Sequence, residues 1–162
     1  MPPQPVFLRK AEIEDIDVLV DLNRCVHDLH VAAQPSYFKQ PERHAVAALF
    51  RTRLERSEVQ VSIANVGHIA SGYIVSVLRE RQENALCFAR RVVEIEEVAV
   101  APEHRLCGVA RALVEHVLAQ ACEQGVSELE LNSWAFNTGA HAAFEALGFR
   151  PMMVRFARQV SQ

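Results

Sequence analysis

The four cysteines of this chain, at positions 25, 87, 107 and 122, form no C-x-x-C pair. That pattern predicts a reduced, cytoplasmic protein. A signal-peptide pattern and an apolar run of about 18 residues are also lacking, so no membrane partner is expected. Basic residues are not in excess either. There are 17 Lys and Arg against 20 Asp and Glu, for a net charge of −3, whereas nucleic-acid binding usually shows a basic excess or patch. No repeat, low-complexity tract or linker divides the sequence, and its 162 residues read as one domain, 1–162, large enough to bury a core.

What is present centres on Val92 to Leu118. Val93 and Ile95 place apolar side chains on one strand face, but Val98 and Val100 are apolar at even positions instead. A one-residue slip of this kind is what a β-bulge produces, and Glu96-Glu97 sits where the parity changes. Pro102 cannot continue a ladder, and Glu103-His104 complete a turn. Val109, Leu113, Val114, Val117, Leu118 and Ala121 then form the apolar stripe of a helix. Its first N–H groups lack intrahelical partners and point back into a turn that holds Gly108, Arg105 and Arg111. A pyrophosphate fits such a turn.

The run Arg105-x-x-Gly108-x-Ala110, after a strand ending Val98-Ala99-Val100-x-Pro102, resembles the acetyl-coenzyme A motif of the GNAT N-acetyltransferase superfamily. Leu106 stands where many members have glycine. A second segment, Asn137-x-x-Ala140-x-x-Ala143-Phe144-Glu145-Ala146-Leu147-Gly148-Phe149, resembles the family's N-x-x-A-x-x-x-Y-x-x-x-G-F. The two motifs cover the C-terminal half closely; the first 80 residues match in element order only.

That order reads as follows. Val6 to Lys10 is a strand, Glu12 to about Val31 a helix, and Pro41 to Arg56 a second helix with Val46, Leu49, Phe50 and Leu54 inward. A hairpin follows, from the alternating Val59, Val61 and Ile63 to a return strand Ile69–Leu78, with Arg79 to Asn84 as an exposed loop. Ala85 to Ala89 suits either neighbouring strand. After the central motif, Gly125 closes its helix, Leu129 and Leu131 mark a fifth strand, Asn137 caps a fourth helix, and Phe149 to Val160 reads as one or two final strands. The resemblance implies an α/β (α+β) GNAT fold. Its mixed, mostly antiparallel sheet would have six to seven strands with about four helices, bulged and splayed at the cofactor cleft.

The resemblance also implies the chemistry, direct acetyl transfer from acetyl-CoA to a primary amine. It assigns the phosphates to backbone N–H groups from Arg105 through Leu106, Cys107, Gly108, Val109 and Ala110 to Arg111. The pantetheine arm would run along Val98, Ala99 and Val100, with Val98 supplying the amide that polarises the carbonyl. Asn137, Ala140 and Phe144 complete the cofactor set. A base is sought among the acidic residues of the strand: Glu96 is favoured, then Glu94, with Glu97 across the bulge. Phe144 occupies a common tyrosine position and has no proton to give the departing thiolate, so the thiolate leaves unprotonated or with help from water or Ser133. His27 and His30, one helical turn apart, fall short of a metal site, and none is expected. The acceptor stays open among small molecules and protein N-termini, as does a homodimer. The alternatives are a non-catalytic acyl-CoA sensor and an enzyme for a longer acyl donor.

Overall fold

The computed structural model describes residues 5–160. They fall into two compact units with the boundary between Asn132 and Ser133, and each is treated by itself.

The first unit is a five-stranded sheet with helices on both faces. Its strands are β1 (Val6–Lys10), β2 (Val59–Val66), β3 (Ile69–Arg81), β4 (Arg90–Val100) and β5 (Leu129–Leu131), adjacent in that order. All neighbours are antiparallel except β4 and β5, which are parallel. The sheet is therefore mixed and mostly antiparallel, as expected. Helices α1 (Ile16–Ala33) and α2 (Arg43–Glu55) cover one face, where Leu19, Phe50, Val61, Ile63, Tyr73, Val75 and Ala99 form the buried core. Side chains alternate along a strand, so Gly72 and Ile74 face the other side. There α3 (Val109–Glu123) packs through the fully buried Val109, Leu113, Val117 and Ala121.

Gly72 is where α3 approaches closest. A Cβ at this position would lie 2.6 Å from Ala99 O and 3.0 Å from Val109 Cγ1, so only glycine lets the start of α3 seat on β3.

Three elements differ from the sequence reading. Arg79 to Arg81 continue β3 instead of opening a loop. Their charges, which suggested solvent, are matched across strands: Arg79 pairs with Glu94 and Glu96, Arg81 with Glu130, and Glu80 with Arg91. Ala85 to Ala89 extend neither strand, because Asn84 Oδ1 accepts from the Leu86 and Cys87 N–H groups and turns the chain. Leu49, expected inward, is 47% exposed; Arg53 occupies the inward stripe in line with Val46 and Phe50.

The second unit holds α4 (Thr138–Ala146). Asn137 caps it, its Oδ1 accepting from the Ala140 N–H at 3.3 Å, and Gly148 (φ +93°) follows its end. The strands expected in 149–160 are not formed among the described residues, which leaves the sheet at five. Pro151 removes a ladder donor there, and no residue of that stretch is buried.

Candidate active site

The slip in parity read from the sequence is a real bulge. Opposite β3, Val75 pairs with Glu97 and Ser76 with Ile95, so Glu96 is the extra residue. Backbone donors show its effect. The Val93 N–H donates to Glu128 O, toward β5, whereas the Ala101 N–H donates to Ser71 O on β3. In an uninterrupted strand two residues an even number apart would point to the same side; the bulge reverses this. Counting by twos from Ala101, the N–H groups of Ala99 and Glu97 face β3, and those of Val98 and Val100 face away from it. On that side β5 pairs only with Val93 to Ile95. Past Ile95, β4 therefore has no strand paired to it on that side among the described residues.

The same bulge brings three carboxylates to the α1–α2 face. Glu94 Oε2 accepts from Arg79 Nε at 3.0 Å, and Glu96 Oε1 from Arg79 Nη2 at 2.7 Å. Arg53 Nη2, arriving from α2, donates to Glu97 Oε1 at 2.8 Å and lies 3.6 Å from Glu96 Oε2. Glu97 Oε2 accepts from the Tyr73 hydroxyl at 2.8 Å, and Asn23 of α1 donates to that hydroxyl at 2.9 Å. Glu94 Oε1 accepts from Asn132 at 3.2 Å. The side chains of Glu94, Glu96 and Glu97 are between 21% and 27% exposed, accessible yet held.

Two neighbours titrate away from their ordinary values. Burial, then the charge of Glu97, pushes the Tyr73 hydroxyl well above the usual tyrosine value, so it remains a donor. Burial alone would lower the Arg53 guanidinium, but its hydrogen bond to Glu97 and the charges of Glu97 and Glu96 outweigh this and hold it above its usual value.

Beyond β4 the chain makes one 3₁₀ turn at Pro102–His104, in which the Arg105 N–H donates back to Pro102 O at 3.3 Å. Leu106 (φ +62°) and Gly108 (φ +82°) are both left-handed, and α3 starts at Val109 with no side-chain cap. Its first intrahelical bond runs from the Ala112 N–H to Gly108 O. The N–H groups of Val109, Ala110 and Arg111 are left for another acceptor. Leu106, Cys107, Arg105 and Arg111 are exposed around them. With the left-handed turn, a helix dipole and two arginines, the site has the chemistry of an anion cradle.

A protein-family model, the acetyltransferase (GNAT) family, matches residues 25–149. The chain belongs to the GNAT family. Among curated proteins it is 38% identical over 58 residues to the [ribosomal protein bS18]-alanine N-acetyltransferase of Escherichia coli K12, a match spanning 36% of this chain and 39% of that protein. Solved structures share the GNAT fold along nearly the whole length. A tetramutant of the BH1408 protein from Bacillus halodurans superposes with a TM-score of 0.91 at 21% identity, covering 95% of this chain and 99% of that one. The aminoglycoside N-acetyltransferase AAC(6')-Iy, in complex with CoA, gives 0.75 at 22% identity, covering 98% of both chains. AAC(6')-Ih from Acinetobacter baumannii gives 0.74 at 18%, covering 97% and 100%.

Among the residues expected at a GNAT site, those of β4 and of the turn at 105–111 lie in the first unit. Asn137, Ala140 and Phe144 lie in the second, where the half-buried Phe144 meets Phe149 edge-on at 6.0 Å. Arg53, Tyr73, Asn23 and Arg79 were not anticipated. The one available signal was an arginine on the stripe of Val46 and Phe50. His27 and His30 engage backbone carbonyls, of Lys39 and Val26. Among the described residues no group of three or more His, Cys, Asp or Glu is arranged around a metal ion, and no helix is long and apolar enough to cross a membrane.

Proposed function

We propose that this chain, as one acetyltransferase domain over residues 1–162, transfers an acetyl group from acetyl-CoA directly to a primary amine. The observation that carries this is the bulge at Glu96, which turns the Val98 N–H away from β3 just ahead of the Gly108 turn. Acetyl-CoA supplies an activated thioester. The N–H groups from Cys107 to Arg111 and the two arginines hold its phosphates, and the open side of Val98 to Val100 takes its pantetheine arm as a neighbouring strand would be taken. The Val98 N–H is aimed to stabilise the developing oxyanion. Glu96 receives the amine proton, with Glu94 second in line. Phe144 offers no proton to the sulfur, so the thiolate departs as an anion, as its ordinary pKa near ~8.5 permits.

Three carboxylates against two guanidiniums leave one negative charge for a cationic ammonium, consistent with the aminoglycosides and the ribosomal-protein alanine named for the relatives. Four free cysteines suit a reduced, cytoplasmic setting. One observation favours a non-catalytic acyl-CoA-binding module: both oxygens of all three carboxylates already have a donor or a guanidinium beside them.

One experiment separates these readings. Saturating acetyl-CoA is expected to stabilise the chain by about 3–4 kcal/mol at 100- to 1,000-fold excess over Kd, and Gly108→Val to abolish most of that shift by forbidding the left-handed turn. Thiol release against an amine library then reports turnover. Binding without turnover selects the sensor. An unchanged melting temperature refutes both.

A further inference from the structure

Arg53 is placed where packing alone does not call for an arginine. It lies on the inward stripe of α2, its side chain 13% exposed. The guanidinium stands over the Phe50 ring at 5.6 Å, and Phe50 meets Tyr73 edge-on at 5.5 Å. Its Nη1 is buried and has no hydrogen-bond partner. An apolar side chain would fill the same stripe without burying an unpaired donor, which is costly. What an apolar side chain cannot do here is bring one charged nitrogen to both bulge carboxylates, Glu97 at 2.8 Å and Glu96 at 3.6 Å.

Three elements converge on Glu97. Arg53 from α2 holds Oε1. Tyr73 from β3 donates to Oε2, and Asn23 from α1 is 3.5 Å from the same oxygen. Glu97 is therefore fully engaged on the protein side. Glu96, one residue earlier, keeps a single hydrogen bond, to Arg79, and the looser approach of Arg53.

We propose that Arg53 is a positioning residue for the acetyl transfer inferred above. It draws Glu97 onto Tyr73 and Asn23, which locks the register of the bulge. That lock keeps Glu96 as the carboxylate directed at the acceptor amine and holds the Val98 N–H turned outward. The inference rests on the acetyltransferase reading. It adds that α2 is coupled to the reacting strand through this guanidinium, at the same carboxylate that α1 approaches through the Asn23 amide.

The test uses the full chain, acetyl-CoA and the best amine of the library, together with ¹⁵N amide and ¹³C carboxyl NMR. Arg53→Met is expected to lower kcat about 10- to 100-fold, the scale of a small misplacement. KM for acetyl-CoA stays within about twofold, and the Val98 amide and Glu96 carboxyl resonances shift. Arg53→Lys recovers part of the rate by keeping a charge on Glu97. Arg53→Met combined with Glu97→Gln removes the orphaned carboxylate, so it regains melting temperature but not kcat. If kcat returns together with melting temperature in that double variant, Arg53 is only a structural strut and the proposal is overturned. Unchanged kcat and an unchanged Val98 resonance in Arg53→Met overturn it too. If the wild-type chain acetylates no amine, the acetyltransferase reading fails by itself, and the Val98 resonance still decides whether Arg53 sets the bulge.

Discussion

The turn at residues 105–111 and the carboxylate cluster at 94–97 are near neighbours in the chain and are built in opposite ways. The turn is made of main chain. Its shape comes from two left-handed residues and an uncapped helix start, while the side chains of Arg105, Leu106 and Cys107 stand in solvent. The cluster is made of side chains whose partners, Asn23, Arg53, Tyr73, Arg79 and Asn132, come from two helices, a neighbouring strand and the end of β5. A site of the first kind tolerates exchange of side chains and fails when backbone geometry changes. A site of the second kind fails when a single functional group is removed, even one far away in sequence.

The largest effect that sharpens this contrast belongs to the cluster. Glu96→Gln keeps the shape of residue 96 and an oxygen to accept from Arg79 and is expected to lower kcat by roughly 10²–10⁴-fold, with acetyl-CoA affinity unchanged. Steady-state kinetics on Glu96→Gln and Glu94→Gln side by side checks this. A silent Glu96→Gln beside a crippled Glu94→Gln reverses the assignment.

An intermediate effect is expected at Tyr73. Tyr73→Phe removes the donor to Glu97 and leaves Asn23 only its 3.5 Å approach to that carboxylate, at a cost of about 1–3 kcal/mol, read by thermal melts at pH 7. The pH dependence has a definite sign. The hydroxyl is raised in the folded chain relative to the unfolded one, so its contribution is whole below the ordinary value near ~10 and is lost as pH climbs beyond it. Between pH 10 and 11 the wild-type chain should lose melting temperature faster than Tyr73→Phe.

The smallest effect belongs to the turn. Leu106 holds a left-handed conformation that costs a branched residue about 1–2 kcal/mol, and its side chain is fully exposed. Leu106→Gly relieves that strain but loosens the unfolded chain by roughly 0.5–1 kcal/mol, for a net stabilisation of no more than about 1.5 kcal/mol. Acetyl-CoA affinity should barely move, because the backbone donors stay in place. A large loss of affinity would mean that the leucine side chain itself takes part in binding.

The same contrast explains what was legible in the sequence. A main-chain site has to announce itself locally, since only certain residues adopt its dihedral angles, and so Gly108, Pro102 and the stripe beginning at Val109 marked the turn. The bulge was legible because parity is a local property of β4. The partners of the carboxylates were not. Arg53 looks like any helical arginine until Val46 and Phe50 are seen to share its face, and Arg79 to Arg81 looked like a loop because their counterions sit on other strands. Up to Asn132 periodicity marked every helix and strand, with the end of β3 missed. Beyond Gly148 the stretch from Phe149 to Val160 read as strands, yet a strand exists only where a partner ladder is paired, and sequence does not reveal that.

Because one inserted residue reverses the direction of every later amide in β4, the number of residues between Ile95 and Pro102 is as much a part of the site as their identity. A chain one codon shorter there would still form a ladder with β3, and its side chains would look almost unaltered in an alignment. Its amide at residue 98 would nevertheless face the neighbouring strand, and the oxyanion of the transfer proposed above would lose its donor. The segment at residues 82–89, which carries no ladder, has no such constraint and can lengthen or shorten freely. Divergence among chains that share this chemistry is thus expected to be generous in residue type along β4 and strict in length.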